Sequence, residues 1–261
     1  KMVLDETGFP QPTGEIETLE YNRDKGISVT VHMGQRRGHA SSSDLCAKAL
    51  RDTTAAALSI ARFTAEDPYS GLPDADLLAR EPRELDLFHR WDIDVEHSIE
   101  LARRCEAAGL AVSDQITNTE GASVSTQQSQ FVTANSLDFC EGYATTRHSL
   151  GCSLIAGSED AMQRDDWWIS QRDPSRLSSP EAVGDYAARR ALARLGARRI
   201  PTCEAPVLFE APLAAGLLGH FVNAASGGSL YRRSSFLLDQ LGKPVFSPEV
   251  TLNEDPFIAG G

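Results

Sequence analysis

The chain has no C-x-x-C pair, no recognisable signal peptide, and no apolar run approaching the roughly 18 residues of a membrane-spanning helix. Its five cysteines, Cys46, Cys105, Cys140, Cys152 and Cys203, are odd in number and widely scattered. That spacing excludes a disulfide framework and a zinc ribbon, and it points to reduced thiols in a cytoplasmic protein. Positive charge is also short. Lys and Arg number 25 against 37 Asp and Glu, a formal charge of −12 that repels the phosphate backbone and speaks against direct nucleic-acid binding. The arginine pairs, such as Arg103-Arg104 and Arg232-Arg233, stand in mixed sequence and read as solvated faces or ion pairs. Repeats and low-complexity tracts are absent.

What is present suits a globular chain. At 261 residues, 41% hydrophobic and 24% charged, there is enough length for one large or two ordinary domains with real cores, without a metal or disulfide staple. Gly14 to Tyr21 and Gly26 to Val31 read as two strands of a hairpin around Asn22 to Gly26, with Ile27, Val29 and Val31 alternating with polar residues. A further short strand is expected near Arg36 to Ala40. Ser43 or Asp44 is expected to cap a helix over Leu45 to Phe63, with Leu45, Ala49, Ala56, Leu58, Ile60 and Ala61 on its buried side. A Pro/Gly/Asp-rich connector follows, and Asp94 caps an amphipathic helix to about Ala108.

From Ile116 to Ile155 the composition turns to short Ser/Thr/Val/Phe runs, read as antiparallel strands with turns at Glu120-Gly121 and Asn135-Ser136, then strands over Cys140 to Thr146 and Ser149 to Gly157. Pro180 opens a helix that Gly196 ends. Ala205 to Phe209 reads as a strand and Ala211 to Ala225 as a helix. The sum is an α+β chain: antiparallel sheets with packed helices, two N-terminal α/β regions followed by the start of a β-rich C-terminal domain. The expected division is 1–66, a connector over 67–93, 94–200 and 201–261.

Two constellations invite chemistry and are weighed against it. Asp165-Asp166-Trp167-Trp168 sets paired carboxylates beside aromatics, but neighbours on a strand point to opposite faces, so the two carboxylates do not share a site. Arg147-His148-Ser149 has no nucleophile elbow around it. The run Ser226-Gly227-Gly228-Ser229 lacks the lysine of a P-loop and is instead a candidate peptide-binding loop, where glycines permit close backbone approach beside an exposed strand edge.

Several segments in order, among them Gly14 to Asp24, Ile116 to Gly121, Thr146 to Cys152, Met162 to Asp165 and Ser226 to Leu237, together with Ala215-Gly216-Leu217-Leu218-Gly219-His220, resemble the TldD/PmbA family, and within it the PmbA (TldE) branch. The resemblance implies proteolysis by a TldD–TldE heterodimer in which the TldD-type subunit binds zinc through a His-Glu-x-x-x-His helix. On this chain the first His falls at Ala215, the Glu at Gly216 and the second His at His220, so only one ligand remains. No catalytic residue, metal ligand or cofactor is therefore expected in this chain, and His220 is expected to be a packed or hydrogen-bonded helix residue. Zinc is expected in the TldD-type partner. The resemblance further implies that both ends are artificial: a C-terminal β-rich region is expected beyond Gly261, and Lys1 to Thr13 reads as a remnant joined across a missing loop.

The function so implied is a non-catalytic TldE/PmbA-type subunit of a cytosolic zinc metalloprotease acting on small unfolded polypeptides, as a heterodimer with a TldD-type subunit or as a homodimer. Two alternatives stay open. One is a non-enzymatic regulator that binds DNA gyrase, which gave the family an older name, or another protein. The other is an active homodimeric metallopeptidase with ligands outside this fragment.

Overall fold

The computed structural model describes residues 16–79 and 81–261 and divides into two compact units. The first runs to Gly196 and takes in Phe257–Gly261, and the second is Ala197–Pro256. Lys1 to Thr13, and the start of the strand expected from Gly14, lie outside the described residues. Residues 16–21 form no strand. The hairpin lies one segment later, as β1 (Ile27–Met33) and β2 (Arg36–Ser42), paired antiparallel from Ile27 opposite Ser42 to Met33 opposite Arg36. Its turn is Gly34-Gln35, where Gly34 takes φ 58° at the first central position, the place where a two-residue hairpin demands positive φ.

The helix α1 (Ala47–Phe63) covers this hairpin. Cys46 caps it, its sulfur accepting the Ala49 N–H at 3.4 Å, while the Asp44 carboxylate accepts the Cys46 N–H at 2.8 Å. The start is thus two residues later than the sequence suggested, with Asp44 two residues before the cap. The buried stripe is Thr53, Ala57 and Ala61, whereas Leu45, Ala56 and Ile60 are exposed. Small residues hold that stripe because β2 touches the helix backbone: a Cβ on Gly38 would lie 2.0 Å from the Ala57 carbonyl oxygen.

Among the described residues of 67–93 the only regular element is a 3-10 turn at Ala75–Leu77. Its last part is nevertheless pinned. Thr146 donates its N–H to the Leu87 carbonyl (3.0 Å), and the His89 N–H donates to Thr146 Oγ1 (2.9 Å). His148, fully buried, donates from Nε2 to the His89 carbonyl (2.8 Å). In the neutral ring its Nδ1 then accepts from the Thr126 hydroxyl (2.8 Å). Trp91 meets the imidazole edge-on, with centroids 5.3 Å apart. His148 is therefore a satisfied core residue that fastens the connector to the sheet.

That sheet has the order β3-β4-β5, all antiparallel: β3 (Ile116–Asn135), β4 (Phe139–Ala156) and β5 (Gln163–Gln171). Glu120-Gly121 is not a turn. The register shifts between Thr119 and Gly121, Gly121 has φ 100°, and the strand continues to Asn135, so the glycine makes a bulge where a turn was expected. The two strands expected at Cys140–Thr146 and Ser149–Gly157 are likewise one, β4.

Leu150, Cys152, Leu154 and Ala156 alternate along β4 on the buried side. They meet α2 (Val95–Leu110), capped by Asp94 through the His97 N–H at 2.7 Å, and α3 (Pro180–Ala193), capped by Ser179. Cys105, Val183, Ala187, Ala188 and Ala191 complete the core. The two helices approach through glycine: a Cβ on Gly184 would lie 1.9 Å from the Cys105 carbonyl oxygen, and one on Gly109 would lie 2.5 Å from Leu154 Cδ1.

Beside this core, Asp165 bonds the Arg194 guanidinium at 2.8 Å and pairs with Arg190 at 3.4 Å. Burial pushes its carboxyl up, but the Asp166 N–H, the Arg194 hydrogen bond and the two positive charges outweigh that and hold it below the usual carboxylate range.

In the second unit α4 (Ala211–Ala225) matches the expected bounds, and α5 (Gly227–Tyr231) follows. Phe221 stacks edge-on against Phe246 at 5.1 Å, and the Ser235 hydroxyl donates to the Ala224 carbonyl at 2.7 Å. The strand expected at Ala205–Phe209 does not form, because the unit's described residues offer no second strand to pair with it.

Gly184→Ala should cost about 1–3 kcal/mol or more through forced separation of α2 and α3, read as a lower urea midpoint with the m-value retained. Asp165→Asn should cost about 1–3 kcal/mol near neutrality. Because the folded carboxyl lies below its unfolded value of about 3.9, the gap to wild type should be full above that pH and shrink as pH falls through the folded value. Urea titrations at several pH values check this.

Candidate functional site

The resemblance places its metal motif on three positions of α4. Ala215, Gly216 and His220 lie on its middle turns, and all three are exposed. His220, expected to be packed or hydrogen-bonded, is exposed on the helix and so is not packed. The donor set is a methyl group, a hydrogen and one imidazole, against the three protein ligands and the carboxylate base that a catalytic zinc uses. Among the described residues no group of three or more His, Cys, Asp or Glu side chains could hold a metal ion. These residues do not fit zinc.

Ser226, Gly227, Gly228 and Ser229 do not form an open loop. Ser226 caps α5: its Oγ accepts the Ser229 N–H at 3.4 Å and donates to Ser229 Oγ at 3.0 Å, and its carbonyl accepts the Ser229 and Leu230 N–H groups. A serine that caps its own following turn wins the glycines for a helix. No strand edge lies nearby among that unit's described residues. There is still room: a Cβ on Gly227 meets nothing within 4 Å, and one on Gly228 meets only the flexible Arg232 guanidinium at 3.3 Å or beyond.

The first unit holds a cleft of about 730 Å3 that the sequence did not single out. Ile16–Leu19, the side of α2, and β3, β4 and β5 around Gly121, Ser153 and Trp168 line it. Strand alternation builds its chemistry. Asp165 and Trp167 point to the helices, where Trp167 stacks edge-on with Tyr186 at 4.6 Å and lies under Arg190. Asp166 and Trp168 point the other way; both line the cleft, as does Trp167, and Trp168 is 63% exposed. The paired carboxylates of the sequence are therefore on opposite faces, as the strand reading required.

Within the cleft Arg164 bonds Glu120 at 2.8 Å, and Ser153 donates to the other carboxylate oxygen at 2.9 Å. The Arg164 hydrogen bond holds the Glu120 carboxyl below its usual range, so it is an ion-paired base rather than a proton donor. The Cys152 thiol on the inner wall is no nucleophile: a hydrogen bond with Cys105, and then burial, push its pKa far up. The cleft offers an aromatic platform and fixed charges and can hold a ligand.

Known proteins place this chain closely. The profile of the PmbA/TldA metallopeptidase domain 1 matches residues 13–61, that of the central domain 88–195, and that of the C-terminal domain 202–261. "Metalloprotease PmbA" of Escherichia coli O157:H7 is 44% identical over 248 residues, covering 95% of this chain and 55% of that protein. The chain thus spans about half the length of the curated relatives it matches. A Bacteroides thetaiotaomicron structure carrying the name of a modulator of DNA gyrase superposes with TM-score 0.81 at 22% identity, over 90% of this chain and 54% of that one. TldE from Thermococcus kodakarensis superposes with TM-score 0.60 at 13% identity, over 86% and 50%. At those identities the structures speak for the fold.

Cys46, Cys140 and Cys203 are exposed, while Cys105 and Cys152 are buried. Alkylation of the folded protein with iodoacetamide at pH 8 should therefore modify those three rapidly and leave Cys105 and Cys152 protected until denaturant is added. Intact-mass and peptide spectrometry read the result.

Proposed function

Because the chain belongs to the PmbA/TldD metallopeptidase family, we propose that it is a TldE/PmbA-type subunit that contributes scaffold and substrate-binding surface to a zinc peptidase while a TldD-type partner supplies metal and base. The observation that carries this reading is the donor set on α4. Ala215 and Gly216 stand where the resemblance places a ligand and a base, and His220 alone is left. No step of hydrolysis falls to this chain.

What the chain offers instead is surface. The cleft beside Trp168 has the volume of a ligand site and is lined by extended backbone, small side chains and an aromatic face, which suits an unfolded polypeptide. The turn at Ser226–Ser229 is a second candidate contact. A cytoplasmic setting fits the scattered, unpaired cysteines, and no described helix is long and apolar enough to cross a membrane. The division into 1–66, a connector, 94–200 and 201–261 belongs to the same proposal.

Cleavage of a dye-labelled unfolded polypeptide by the full-length protein, by a TldD-type partner and by their mixture tests the reading. Turnover is expected only in the mixture. Turnover, with bound zinc, in this protein alone would overturn it, and so would a partner indifferent to its presence. In the mixture, Trp168→Ala and Gly228→Trp are each expected to raise KM several-fold with a smaller change in kcat, as loss of uniform binding does.

A further inference from the structure

On the side of the three-stranded sheet away from α2 and α3, an indole ring and a carboxylate stand beside a floor of glycine and serine. Leu150, Cys152 and Leu154 turn to the helices, so the residues between them, Gly151 and Ser153, lie on the other side of β4. Antiparallel register extends that side into cross-strand rows. One row is Gly121, Ser153 and Asp166, and the next is Ser123, Gly151 and Trp168. All six residues line the cleft. A Cβ on Gly151 would lie 3.0 Å from Trp168 Cβ, so a larger residue there would crowd the foot of the exposed indole.

Charge decides what this floor takes. Glu17, Glu106, Glu120 and Asp166 line the cleft against only two guanidiniums, Arg103 and Arg164, in a chain of formal charge −12. Arg164 is held chiefly by its hydrogen bond to Glu120, and Asp166 acts on it only through space. Among the described residues the Asp166 carboxylate has no hydrogen bond or ion pair of its own. Trp168 is two residues along the same strand, hence on the same face. A free carboxylate beside an exposed indole offers one cation two attractions, the opposite charge and the negative face of the ring. An anion would meet the surplus of carboxylates. A neutral ring would use the indole and leave Asp166 unanswered.

We infer that the Asp166–Trp168 side of the cleft takes a cationic side chain, lysine or arginine, of a bound polypeptide. This preference rests on the proposed polypeptide-binding role and gives it a chemical selectivity. The glycine and serine rows let extended backbone lie close to the sheet, while the acidity of the whole chain raises the local concentration of basic segments. Asp166 is exposed, so salt screens its share of the attraction.

Fluorescence anisotropy with the full-length protein tests it, using dye-labelled peptides of one length in a Gly/Ser background that carry paired lysines, arginines, citrullines or glutamates. The lysine and arginine peptides are expected to bind about fivefold or more tighter than the neutral citrulline peptide, and the gap should narrow from about 50 to about 500 mM NaCl. Asp166→Asn and Trp168→Ala should each remove most of the preference, and Trp168→Phe should keep part of it. Asp76→Asn, which deletes an exposed charge outside the cleft, should leave it intact. Circular dichroism checks that each variant folds. Four peptides bound alike would overturn the inference and leave the polypeptide-binding role standing, whereas no peptide bound would overturn both. A preference that survives both Asp166→Asn and Trp168→Ala would put the cation elsewhere on the acidic surface, and tighter binding of the glutamate peptide would assign the cleft to anions; either result overturns the inference.

Discussion

Everything in the first unit depends on how closely α2 can approach α3. Gly184 lies against the backbone of α2 at Cys105, and Gly109 lies against Leu154 and the Gly184 carbonyl, so neither position has space for a side chain. The small stripe Ala187, Ala188 and Ala191 continues the contact. Packed this tightly, both helices fit on one side of a three-stranded sheet and cover Leu150, Cys152, Leu154 and Ala156 completely. The same device recurs where Gly38 meets α1 at Ala57 and Ala61. Backbone contact of this kind tolerates no added methylene, which makes these glycines more consequential than most of the large apolar residues.

One covered face means one free face, and the alternation of β5 carries that division into chemistry. Asp165 goes to the helices and is spent on Arg190 and Arg194. Asp166 and Trp168, their strand neighbours, go to the cleft. The arrangement separates groups that are adjacent in sequence and joins groups far apart in it, such as Ile16–Leu19, Glu120 and Arg164. On the proposed reading, this is the surface that holds a polypeptide. The helix α4 is the counterpart in the second unit on the proposed reading: Ala215, Gly216 and His220 stand where the resemblance places the family's metal motif.

Several features could be read without coordinates because they depend on local physics. The bounds of α4, the Asp94 cap, the Pro180 start, the Gly196 stop and the opposite facing of Asp165 and Asp166 all follow from capping, proline geometry and strand period. The failures share a different cause. Gly121 was read as a turn because a glycine after a polar residue punctuates chains, yet a bulge uses the same positive φ while the strand goes on. Ala205–Phe209 has strand composition, but a strand exists only with a partner. Ile60 and Leu45 seemed core residues by type, whereas the contact with Gly38 selected Ala57 and Ala61 by size. Ser226 to Ser229 looked like a loop until the serine cap and the following turn made it helical.

The sequence by itself determined the α+β class and the acidic charge, which follow from residue type and near-neighbour spacing, and its ordered segments carried the resemblance to the family. Only the tertiary structure decided which glycines carry helix contacts, that His148 is a buried clasp on the connector, and that a cleft opens beside Trp168. Those facts concern what stands across from a residue, through strand order and helix approach, and such pairings between distant segments leave no local trace in the chain.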